Sequence, residues 1–99
     1  MEPFNATWEG GVLRLRGELD LAAASAFEEQ ATAGLDGHDL LVVDLAELTF
    51  IDSTGIRALV NVVDAARPRS VVLRDAAPNV RRVFDLTSIT TVVPNVTLE

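Results

Sequence analysis

The chain has 99 residues, 48% hydrophobic and 23% charged, which is enough for one domain over 1–99 that buries roughly two-thirds of its unfolded surface without covalent staples. It contains no cysteine, which excludes a disulfide framework, a thiol nucleophile, a zinc-thiolate site and a thiol redox switch. The net charge is −7, and the eight basic residues are all arginine and scattered apart from Arg81-Arg82, so nucleic acid and anionic membranes, which need a basic patch, are not expected partners.

Residues 4–8 alternate with Phe4, Ala6 and Trp8 on one face, the pattern of a strand. A Glu9-Gly10-Gly11 turn leads to 12–17, where Leu13 and Leu15 oppose Arg14 and Arg16. The two segments predict an antiparallel hairpin. From 19 to 33 the period changes to that of a helix, with Asp20 as its N-cap and Ala23, Ala26, Phe27, Gln30 and Ala31 along one stripe. Gly34 ends it, and Asp36-Gly37 turns the chain. Residues 40–45 are nearly all apolar, as in a strand buried on both faces.

A second strand-like run, 48–52, feeds Ser53-Thr54-Gly55 and then a helix over 56–67. Ile56, Leu59, Val60 and Val63 form its apolar face, opposite Arg57, Asn61 and Asp64. Ala58 and Val62 on the flank fit either sheet packing or a partner. Pro68 stops the helix. A short strand over 70–73 follows, then a helix opened by Pro78, with Val80, Val83 and Phe84 inward and Arg81, Arg82 and Asp85 in water. The last strand is expected over 91–93, before Pro94, and Leu98-Glu99 are given no weight. The predicted order is β-β-α-β-α-β-α-β, a mixed central sheet with an N-terminal antiparallel hairpin and then alternating helices and parallel strands. No apolar run approaches the roughly 20 residues that cross a bilayer. The start of the chain also lacks the basic and apolar regions of a secretory leader. A cytoplasmic monomer is the expectation.

Ligands of open α/β sheets bind where strands end and helices begin. Two such junctions stand out, Gly17-Glu18-Leu19-Asp20 and the run from Phe50 to Gly55. Hydroxyls at a helix start have a plain use, capping free N–H groups. The other use is as a phosphate acceptor at a place that tolerates the new anion. The residues alone leave both open for Ser53.

The run from Asp44 to Val60 (D-L-A-E-L-T-F-I-D-S-T-G-I-R-A-L-V) resembles the signature of the STAS family, specifically its bacterial anti-sigma factor antagonists. Gly17 to Asp20 resembles the family's first junction, and Pro78 to Thr87 its C-terminal helix. The resemblance implies the STAS fold and a partner-switching role. Such a protein binds a serine-kinase anti-sigma factor, frees a sigma factor, is phosphorylated at the serine after the aspartate, here Ser53, and is restored by a serine phosphatase. It further implies Asp52 and Thr54 as the frame of Ser53 and Gly55 as the small residue allowing close approach. Asp20, Asp52, Ser53, Thr54, Gly55 and Arg57 form the expected partner surface. The other reading it leaves is a STAS accessory subunit or domain of a membrane transporter. A departure falls after the C-terminal helix, where the family often has glycine and this chain has Ser88. No cofactor or metal is implied. His38, with Asp36 and Asp39 nearby, makes a poor ligand set, Trp8 suits a core or rim position, and no hydrolase or phosphate-loop motif occurs, so no enzyme activity is expected.

Overall fold

Period-two alternation builds a five-stranded sheet in the order β1 (Asn5–Glu9), β2 (Val12–Leu19), β3 (Leu40–Ile51), β4 (Ser70–Arg74) and β5 (Val96–Leu98). The structure is a computed structural model describing residues 3–99. β1 runs antiparallel to β2, and β2 to β5 are mutually parallel. The hairpin turn uses Gly10 and Gly11 at φ +56° and +83°, the left-handed region that glycine enters without a Cβ penalty. The helices are α1 (Ala24–Ala33), α2 (Ser53–Ala66), α3 (Pro78–Thr87) and the single turn α4 (Ile89–Val92).

Register sets the two faces of the sheet apart. Leu13, Val43 and Leu73 are paired across three strands and buried, as are Leu41, Val71 and Val96. The opposite face carries Thr7, Arg14, Asp44 and Arg74 in one row, with Arg14 Nε and Arg74 Nη2 each 3.8 Å from Asp44 Oδ2. One face is therefore covered and the other is wet. This corrects the expected two-sided burial of 40–45: Leu41, Val43 and Leu45 are fully buried, whereas Leu40 is exposed and Val42 and Asp44 are intermediate. Leucine and valine at 40 and 42 hide the alternation in a sequence-only reading. The same strand continues to Ile51 as one element of 12 residues where two were expected.

Asp20 does not cap a helix over 19–33. Its carbonyl accepts from Ala23 and Ala24 N–H at 3.1 and 3.0 Å and its Oδ1 from Ala23 N–H at 3.2 Å, closing a turn before α1 begins at Ala24. Only Ala23, Phe27 and Ala31 of the expected stripe are buried, and Ala26 and Gln30 are exposed. On α2, Ala58 and Val62 belong to the core, so the flank left open by the sequence is packed. Asn61 Nδ2 donates to Glu28 Oε1 at 3.1 Å, tying α2 to α1.

The last expected strand is misplaced. Residues 89–92 form α4, and β5 lies at 96–98 beyond Pro94. Asn95 holds the joint: its Nδ2 donates to the Val63 and Arg69 carbonyls, both at 2.9 Å. Glu99 N–H donates to Leu73 O at 2.8 Å, so the two terminal residues take part in the sheet. Trp8 packs where a Cβ on Gly34 would overlap its ring, donates from Nε1 to Gln30 O at 2.8 Å, and stacks on His38 at 5.6 Å between centroids.

Candidate functional site

Leu19 and Ile51 are paired at the ends of β2 and β3, so the residues that follow them, Asp20 and Asp52, leave the sheet side by side. Asp52 N–H donates to the Leu19 carbonyl at 3.4 Å. The two junctions singled out in the sequence are thus one surface, at the C-terminal ends of parallel strands, where open α/β sheets present their sites.

α2 starts at Ser53, three residues before the expected 56, and its N-cap is Asp52. Asp52 Oδ1 accepts from Gly55 N–H at 2.9 Å, and its carbonyl accepts from Ile56 N–H at 2.9 Å. Capping is therefore the work of the carboxylate. Ser53 occupies the first helical position, exposed, and among the described residues its hydroxyl has no hydrogen-bond partner. Thr54 is half-buried beside it. Ser53, Thr54 and Arg57 line a shallow depression of about 300 Å³.

Gly55 is buried against the first junction. A Cβ there would overlap the Leu19 carbonyl oxygen and lie 2.8 Å from Ile51 Cγ1. Only hydrogen fits, and the close approach draws the start of α2 against the end of β2. α3 braces the same end of β3: Asn79 Nδ2 donates to Thr49 O at 2.9 Å, and Thr49 Oγ1 donates to Gly17 O at 3.0 Å.

Two large apolar side chains beside the junctions were not among the expected partner residues. Leu21 is 77% exposed and Phe50 is 43% exposed, one in the turn after Asp20 and the other just before the Ile51-Asp52 end of β3. A cleft of about 300 Å³ lined by Pro3, Phe4, Glu18, Asp20, Ala22, Ala23 and Ala26 adjoins the first junction. No helix is long and apolar enough to cross a membrane among the described residues.

A mixed sheet with an N-terminal hairpin, crossover helices and a D-S-T-G run at the β3–α2 junction is the arrangement of a STAS domain, and comparison with known proteins agrees. The family profile described as "Mlab, STAS domain" matches residues 4–94. BtrV of Bordetella bronchiseptica, named as an anti-sigma factor antagonist, is 31% identical over 83 residues, spanning 81% of this chain and 72% of that protein. The crystal structure of an anti-sigma factor antagonist from Mycobacterium paratuberculosis superposes with a TM-score of 0.71 at 27% identity, covering 97% of this chain and 83% of the other. The Thermotoga maritima protein TM1081 shares the fold, with a TM-score of 0.75 at 22% identity over 97% and 86% of the two chains. The chain belongs to the STAS domain family, among homologues named as anti-sigma factor antagonists.

Proposed function

We propose that this chain is an anti-sigma factor antagonist. It binds a serine-kinase anti-sigma factor, so that a sigma factor is released, and phosphorylation of Ser53 ends the interaction. A serine phosphatase reverses the modification. In this reading the chain is a substrate and a binding protein rather than an enzyme, and its partner surface comprises Asp20, Asp52, Ser53, Thr54, Gly55 and Arg57.

The observation that carries this is the division of labour at the start of α2. Asp52 caps the helix, which leaves the Ser53 hydroxyl exposed and uncommitted. In the kinase the Ser53 oxygen attacks the γ-phosphorus of ATP, the bond to ADP breaks, and the hydroxyl proton passes to a base on the kinase. The product adds about −1.5 to −2 charge at neutral pH. At the first turn of a helix that charge is favourable by roughly 0.3–1 kcal/mol, so the domain keeps its fold. Against a docked partner the same group adds volume, desolvation and repulsion from facing acids, together several kcal/mol in order of magnitude. Each 1.4 kcal/mol is about tenfold in affinity, so the interface loses.

A transporter accessory subunit would share this fold. The complete Asp52-Ser53-Thr54-Gly55 run, with an exposed acceptor, favours the switch. The test is incubation with the cognate kinase and ATP followed by mapping of the modified residue. Modification at Ser53 that disappears in Ser53→Ala supports the reading. Modification that persists in that variant, or a native complex holding a permease and no kinase, overturns it.

A further inference from the structure

Arg14, Arg16, Arg67, Arg69, Arg74 and Arg81 each lie within 4.0 Å of a carboxylate. Arg57 has no such partner among the described residues, although the chain carries 15 acidic side chains. It is exposed on α2, four positions after Ser53. Residues at i and i+4 share a helix face with Cβ atoms about 5–6 Å apart. Helical side chains lean toward the N-terminus, the end of α2 at which Ser53 stands. The two residues already line the same depression. The order matters too, because an anion four positions before a cation is the more favourable arrangement.

We propose that Arg57 is the built-in counter-ion of phosphorylated Ser53. Its planar guanidinium donates to the phosphate oxygens, a geometry suited to bidentate contact, and holds the dianion on the helix that bears it. The phosphorylated state is then stabilised by the chain itself. This rests on Ser53 being the modified residue and names what holds the modification. Asp52 on the same junction and Asp20 on the neighbouring one raise the phosphate's proton affinity, while Arg57 lowers it. Both carboxylates are common to every form compared below, so their effect cancels.

The test is a phosphorus NMR titration of protein carrying phosphoserine at position 53, installed by chemical ligation. Wild-type sequence is compared with Arg57→Ala and with Arg82→Ala. Arg82 is the other arginine without a carboxylate partner among the described residues, and it sits on α3. Removing one positive charge about 6 Å away in a solvated setting raises the phosphate's second proton affinity about threefold, so Arg57→Ala should show that increase and Arg82→Ala should match wild type. Superimposable curves for wild type and Arg57→Ala, or an equal shift in Arg82→Ala, overturn the proposal. Because no kinase is used, this result is independent of whether a kinase chooses Ser53, which the mapping experiment decides separately.

Discussion

Gly55 and Asp52 fix the geometry of the site, and each makes a separable prediction. In an ordinary helix interior, replacing glycine with alanine gains about 1 kcal/mol from propensity. At 55 the added Cβ meets the Leu19 carbonyl and the Ile51 side chain. Overpacking against backbone costs about 3 kcal/mol, so the clash outweighs the gain. Gly55→Ala is expected to lower stability by about 2 kcal/mol in urea unfolding, with unchanged or increased stability as the contrary result. The cap predicts a contrast between neighbours. Asp52→Ala should cost about 1 kcal/mol, because it removes the acceptor of the Gly55 N–H. Ser53→Ala should stay within about 0.5 kcal/mol of wild type, because its hydroxyl has no hydrogen-bond partner among the described residues. Equal losses in thermal melts would show that Ser53 shares the capping. The sequence alone left this open, since aspartate and serine are both good caps and stand side by side.

At the scale of elements, the joint between α3 and β5 was the least legible. Residues 89–93 are β-branched and flanked by a proline, which reads as a strand. In the structure Ser88 turns the chain in the left-handed conformation, φ +53° and ψ +46°, so that α4 can form and bury Ile89 and Val93. Tertiary burial overrode propensity. The departure from glycine at Ser88 was visible in the sequence, and the structure keeps the geometry that favours glycine. Ser88→Gly should therefore raise stability by about 1 kcal/mol, read as a higher melting temperature. A lower one would mean that the serine side chain supports the turn. The hairpin, α2 and α3 were legible because their apolar periodicity agrees with their turn and capping residues. The single covered face of the sheet was not, because Leu40 and Val42 sit on the wet face and carry no polar signal.

Across the whole molecule, the fold converts two distant stretches of sequence into one surface. The Leu19–Ile51 pairing and the Gly55 contact bring Asp20 next to Asp52 and Ser53, with Leu21 and Phe50 exposed nearby. Both side chains are available for contact with a partner that docks on this surface. Under the proposed function, Leu21→Ala should weaken binding to the anti-sigma factor about tenfold while changing stability by less than about 0.5 kcal/mol. Unchanged affinity in a calorimetric titration would remove Leu21 from the interface. The net charge of −7 adds that association with a basic partner face should slow as salt rises.

The central claim is that modification of Ser53 changes what the surface can meet without changing the fold behind it. The direct measurement compares unmodified protein with protein phosphorylated at Ser53, by calorimetric melting and by titration against the kinase anti-sigma factor. The account predicts melting temperatures within a few degrees of each other and a loss of affinity of at least a hundredfold, about 2.7 kcal/mol. Undiminished binding by the phosphorylated form, or a collapse in melting temperature that tracks the loss of binding, would contradict it.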